Sequence, residues 1–343
     1  MNLSRRSFIA STAVGTFASA GAGVSRPRED EKRPLKTGPL GKYVGTLPEG
    51  RYDTHIHVMG NVPPNPESLK RYIDEAGLAG CGVFSQAPYK RNRAQAAPVP
   101  PEQAVDDVIA WCSASPTFYP FHYIDPGAPD ALDQVDMAVE KGIYGFKVIR
   151  GDGLPCDTKS MPVYAKIAAY NKPVTFHTGI LWDGCASSEN FRPSNWEPLL
   201  AIPRLRFALC HISWPWCEEC VAVYGKLLNA ITRNGERNVP EMFIDTTPGT
   251  PKVRRKFALE LLYTIGYDVR DHVMFGTDCR TEPYNVKWSK DWRVTDDAIY
   301  DELGLDDGWR DSIYRKAYER YLFGGTGERK APTADGLSRP KVK

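Results

Sequence analysis

The chain reads as a (β/α)8 barrel, and three observations predict it. Short apolar runs alternate with helix-length amphipathic segments eight times between residues 50 and 325, the rhythm of parallel strands joined by helical crossovers. Eight such units in roughly 270 residues match the size of this barrel. No glycine-rich dinucleotide loop follows the first run, which argues against an open doubly wound sheet.

The elements follow in order. Arg51–Val58 is the first strand and Pro66–Ala79 the helix after it. Cys81–Gln86 is the second strand, followed by a long loop, 87–101, and a helix over Glu102–Ser115. Phe118–Ile124 is the third, closed by the turn sequence Asp125-Pro126-Gly127. Ala131–Lys141 is helical, with Gly142 in the C-cap position. Tyr144–Ile149 is the fourth strand, Met161–Tyr170 a helix, and Val174–His177 the fifth strand behind an Asn-Lys-Pro stop. A loop rich in Gly, Ser and Asn then leads to a short helix, Asn195–Ala201. Arg206–Ile212, Met242–Asp245 and Val273–Gly276 are strands six to eight. Helices over Trp216–Thr232 and Lys252–Ile265 lie between them, and a last helix covers Asp306–Phe323.

The flanks differ in character. Ser4-Arg5-Arg6-Ser7-Phe8-Ile9 is a twin-arginine pattern, followed by a mildly apolar Ala/Gly run with small-x-small ends near Ala22. Residues 1–22 are therefore expected to be an export signal, with the twin-arginine machinery as partner and a periplasmic or secreted destination. That run is too short and glycine-rich for stable membrane insertion. Residues 23–49 are expected to be a linker or arm, and 326–343 a flexible tail. With 44 basic against 42 acidic residues the net charge is only +2, so nothing suggests a nucleic-acid partner. Eight cysteines are scattered, and Cys217 and Cys220 are best read as one face of a helix.

Chemistry in such a barrel sits at the C-terminal strand ends. On the first strand, His55 and His57 are two apart and project to one face, so both can reach one ion. His177 ends the fifth strand, His211 the sixth and Asp278 the eighth, while Lys147 lies within the fourth. Four of the six histidines and an aspartate thus fall at one rim.

Here the chain resembles the metal-dependent amidohydrolase superfamily. The motifs are Asp53-Thr-His55-Ile-His57, Phe176-His177-Thr-Gly179, Cys210-His211 with Trp214-Pro-Trp216, and Phe275-Gly-Thr-Asp278. The branch is the one related to aminocarboxymuconate-semialdehyde decarboxylase, of amidohydrolase-2 type. The resemblance implies that His55, His57, His177 and Asp278 hold one divalent ion with His211 beside it. It also implies a homodimer, a frequent state among relatives.

Such a donor set suits Zn²⁺, with Mn²⁺ or Fe²⁺ as alternatives. Asp278 is expected to take the proton of an ion-activated water, and His211 to polarise the scissile carbonyl. Against these stand plainer readings: Asp278 as a strand-end cap and His211 as a core imidazole bonded to a carbonyl. Lys147 is read as a substrate or charge-neutralising group ahead of a carboxylated metal bridge. Asp53 is read as orienting a ligand histidine or a neighbouring strand. His122 and His272 are read as structural. Trp182, Trp214 and Trp216 are pocket walls or core, with Trp214 the substrate-side candidate. Arg150 and Arg280 are candidate clamps for a substrate carboxylate.

The expected function is hydrolysis of an ester, lactone or amide bond in a small molecule. The alternative is a non-oxidative decarboxylase of a small aromatic or enoic acid, using the same site. A catalytically silent barrel retained for binding is the third reading.

Overall fold

The computed structural model describes residues 46–60, 62–90, 97–150 and 153–325. The expected signal 1–22, most of the arm and the tail 326–343 lie outside the described residues.

Within them, one all-parallel sheet contains β1 (Tyr52–His57), β2 (Gly80–Phe84), β3 (Phe118–Tyr123), β4 (Gly145–Val148) and β5 (Pro173–Phe176). It continues with β6 (Arg206–Leu209), β7 (Glu241–Asp245), β8 (Val273–Met274) and β9 (Cys279–Arg280). The spatial order is β8-β7-β6-β5-β4-β3-β2-β1-β9. The two edge strands are thus consecutive in the chain, and the segment 273–280 closes the barrel by pairing with β7 at one end and β1 at the other. The crossovers carry α1 (Pro66–Ala76), α2 (Pro101–Trp111), α3 (Ala131–Lys141), α4 (Ser160–Ala169), α5 (Cys217–Asn234) and α6 (Lys252–Thr264). After β9 come α7 (Val286–Glu302), α8 (Asp307–Asp311) and α9 (Ala317–Phe323), the last two joined by a π-helical turn.

Three elements depart from the sequence reading. The eighth strand is cut in two, because Asp53, buried on β1, draws the backbone N–H of Thr277 to 3.0 Å and its hydroxyl to 2.6 Å. Gly276 allows that detour: a Cβ there would fall 2.7 Å from His55 Cβ. Asp278 then turns left-handed at φ 59°, a conformation Asp tolerates better than most residues. Helix α7 was not expected, since its charged residues blur the apolar stripe. Its start was nevertheless written in Asn285, whose side chain accepts from the N–H of Trp288. Between β5 and β6 the chain forms 3₁₀ turns over Ser188–Phe191 and Pro193–Ala201, with Pro198 withholding an N–H group an α-helix needs.

Helix α9 closes the N-terminal end of the barrel. Tyr318, Tyr321 and Leu322 pack with Tyr52, Tyr119, Phe121 and Phe243 from the strands. Arg206, at the start of β6, donates to the carbonyls of Tyr321 and Leu322, and Glu241 accepts from Arg320 and His272. With that end sealed by aromatic packing, access to the interior is left to the C-terminal strand ends. His272 and Glu241 serve this floor, as the position of His272 suggested. His122 faces the helix layer, with Nε2 3.3 Å from Gln134 of α3, and burial lowers its pKa to about 4.

Candidate metal centre

At the C-terminal strand ends, His55 and His57 place their Nε2 atoms 3.0 Å apart. Asp278 Oδ1 lies 3.2 Å from the His57 nitrogen and 3.6 Å from that of His55. Donors bound at 2.0–2.1 Å to a tetrahedral ion stand about 3.3–3.4 Å apart, so these three separations bracket the edge of such a site. The donor chemistry fits as well. Two imidazole nitrogens in contact need a cation or a proton between them, and a carboxylate completes the set.

His55 is held for this task from behind. Its Nδ1 donates to Asp245 Oδ2 at 2.5 Å, leaving the lone pair on Nε2. Burial and the neighbouring Lys147 ammonium lower the His55 pKa to about 3, so the ring is neutral. Burial alone would raise Asp245, but His55 and His211 hold its carboxylate well below the usual range, helped by the Thr247 hydroxyl. Asp278 behaves likewise: partial desolvation among the imidazoles opposes ionisation, yet the hydrogen bond from His57 and the three surrounding imidazoles keep it well below its ordinary value. Its side chain is 43% exposed, against 14% for His57 and 1% for His55.

His211, Ile212 and Ser213 all take positive φ, at 62°, 46° and 55°. For β-branched Ile212 that is a costly conformation, on the order of 1–3 kcal/mol. The turn is held by Trp216 N–H on Ser213 O, Ser213 Oγ on Thr178 Oγ1, and Thr178 Oγ1 on Cys210 O. It aims the His211 ring into the barrel, 5.6 Å from His55 by ring centroids. His211 Nδ1 lies 3.3 Å from the carbonyl of Thr247, which can only accept, so Nδ1 carries the proton. Burial lowers the His211 pKa, and the neutral ring turns its Nε2 lone pair to His177 Nδ1 at 3.2 Å. His177 is thereby set in the tautomer with its lone pair on Nε2. The His211 imidazole is thus bonded to a carbonyl on one side and orients His177 on the other.

Among the described residues, two groups of three metal-capable side chains have donor atoms within 4.8 Å of one another: His55–His57–Asp278 and His55–Cys210–His211. His177, expected as a ligand, belongs to neither; its ring lies 4.9 Å from that of His211 by centroids, and His211 in turn 5.6 Å from His55. Lys147 is fully buried, with Nζ 3.2 Å from Cys210 Sγ and 3.4 Å from His55 Nε2. Arg150 is committed to Asp157 in the loop after β4 and to Ser160 at the start of α4. Trp214 packs against the main core, while Trp182 is exposed. Asp53 accepts from His55 N–H, Thr277 and Tyr284, orienting both the ligand strand and the segment beside it.

Sequence reasoning missed Asp245 and Cys210. Asp245 ends its strand as His177 and His211 follow theirs, so the strand-end rule itself carried the signal. Cys210 stood in the Cys210-His211 motif without a role of its own, and nothing in its spacing announced the contact with Lys147.

A family model described as amidohydrolase matches residues 52–322. The chain belongs to this family. It falls in the amidohydrolase-2 branch. No curated protein sequence matches it. Among solved structures it is similar to a probable 2-pyrone-4,6-dicarboxylic acid hydrolase from Acinetobacter baumannii with citric acid bound. That match has 12% identity, covers 81% of this chain and 100% of the other, and has a TM-score of 0.53. It is also similar to a mutant 5-carboxyvanillate decarboxylase from Novosphingobium aromaticivorans with bound manganese and 3-methoxy-4-hydroxy-5-nitrobenzoic acid. There the identity is 11%, coverage is 84% of this chain and 99% of the other, and the TM-score is 0.51. At these identities the likeness establishes the shared barrel fold. Members of the family usually bind a metal, and this chain has a candidate site for one.

Proposed function

We propose that this amidohydrolase is a metal-dependent hydrolase of an ester, lactone or amide bond in a small molecule. The observation that carries the reading is the exposure of Asp278: of the three converging donors it alone opens widely to the barrel mouth. His55, His57 and Asp278 would hold the ion, with His177 the further imidazole nearby; the nitrogen-rich set favours Zn²⁺ over Mn²⁺ or Fe²⁺. A divalent ion bound there supplies Lewis acidity, making water acidic enough to attack at neutral pH.

The residues supply the rest. Asp278 is ionised and accessible, so it accepts the proton of the attacking water and returns it to the leaving atom. Asp245 keeps His55 neutral and correctly turned. Thr247 holds His211, and His211 holds His177. Once it has taken a proton from water, the same carboxyl group can hand that proton to carbon, which keeps a non-oxidative decarboxylase as the second reading; the two named structural relatives, a hydrolase and a decarboxylase, bracket the pair.

The test is a panel of lactones, esters and aromatic acids offered to protein loaded with Zn²⁺ or Mn²⁺, scored for acid release and for CO₂ release. Acid release lost in Asp278→Asn supports the hydrolase. CO₂ release assigns the lyase. Absence of any divalent-ion affinity overturns both.

A further inference from the structure

We infer that Arg280 is the anion-binding group of the substrate pocket, so that the preferred substrate carries a carboxylate beside the bond that is broken. The inference rests on the hydrolase reading for its kinetic part and on geometry for its binding part.

The sheet register places the residue. β1 and β9 pair with Ile56 opposite Cys279 and His57 opposite Arg280, and neighbours in register on a parallel sheet project to one face. Ile56 and Cys279 are both buried in the core beneath the helices. His57 and Arg280 therefore share the opposite face, and the contact of His57 with Asp278 shows that this face is the barrel mouth. Thr281 N–H, bonded to His57 O at 2.9 Å, continues the pairing past Arg280.

Availability separates the two arginines the sequence offered. Arg150 is buried and spends its guanidinium on Asp157 and Ser160. Arg280 is exposed and makes no ion pair among the described residues. Asp278, two residues away, directs its carboxylate to His57 and His55 instead. A guanidinium two residues from a candidate catalytic carboxylate, on the same face of the sheet and not ion-paired with it, is matched to a planar anion that it can grip with two N–H groups. It approaches from the β1–β9 side, so a substrate held there presents its reactive carbonyl toward Asp278.

Two measurements on the full-length protein test this. Calorimetry compares binding of benzoate and of benzamide to metal-free protein, wild type against Arg280→Gln. Benzoate affinity is expected to fall about 10-fold or more in the variant, as for loss of a charge-assisted hydrogen bond, with benzamide showing no matching change. Unchanged benzoate affinity overturns the proposal, and so does an equal loss for both probes, which would mark Arg280 as structural. For loaded enzyme, paired substrates differing only in carboxylate or carboxamide are compared. The ratio of their kcat/KM values is expected to drop roughly 10- to 100-fold in Arg280→Gln and to recover in part in Arg280→Lys. A ratio that does not move overturns the proposal while leaving the hydrolase reading intact. Absence of all turnover would sink the hydrolase reading alone, since calorimetry still decides the anion site.

Discussion

The imidazole of His55 on β1 and the carboxylate of Asp245 on β7 meet at 2.5 Å beneath the candidate metal centre. That contact decides which His55 nitrogen faces the other donors. Asp245→Asn is expected to weaken divalent-ion affinity about 10- to 100-fold while circular dichroism stays unchanged. Competition against a chromophoric zinc chelator measures it, and equal affinity would show that His55 is oriented by something else.

Lys147 sets the opposite sign. Its ammonium lies 3.4 Å from His55 Nε2, where it repels any cation that nitrogen would bind. Lys147→Met should tighten metal binding by about 10-fold or more on that argument. The same chelator titration checks it, and weaker binding would assign Lys147 a supporting part in the centre.

Gly276 keeps the split strand close to His55. In Gly276→Ala the new Cβ would meet Thr247 Oγ1 at 2.5 Å and His55 Cβ at 2.7 Å. Overpacking of this kind costs about 1–3 kcal/mol. A lower urea midpoint together with reduced metal affinity is the expected result; an unchanged midpoint would mean that the strand interruption is not constrained by this contact.

The barrel floor gives the protein an acid limb. Burial works against the charge of Glu241, but His272 and Arg320 hold its pKa at about 2, below the ordinary 4.5. A depressed carboxylate contributes stability that is present above pH 4.5 and lost as pH falls through about 2. The shift corresponds to something on the order of 3 kcal/mol. Urea unfolding at pH 6 and pH 3 should show Glu241→Gln less stable than wild type at pH 6, with a smaller loss on acidification. Parallel losses in the two proteins would place the acid limb elsewhere.

We propose export through the twin-arginine pathway from the pair Arg5-Arg6. Replacing both by lysine should leave the protein in the cytoplasm, as read by cell fractionation. Secretion at the wild-type level would refute the assignment.

The strands were legible in their apolar runs, and six of the crossover helices in their periodicity and punctuation. The parity of His55 and His57 held because side-chain alternation along a strand is a local property. Helix α7 was obscured because Trp288, Trp292 and Ile299 are separated by charged residues, so its apolar stripe is faint without a partner surface. The break between β8 and β9 could not be read locally, because it depends on Asp53, more than two hundred residues earlier in the chain.

By itself the sequence determined the barrel and the end of it at which the histidines and Asp278 gather, since strand period and strand-end position are written in neighbouring residues. Only the tertiary structure decided which of those residues meet. It brought Asp245 behind His55, turned His211 toward His177, committed Arg150 to Asp157 and left Arg280 beside His57. Each of these pairings spans different strands or loops, and their distances are set by barrel closure and core packing rather than by spacing along the chain.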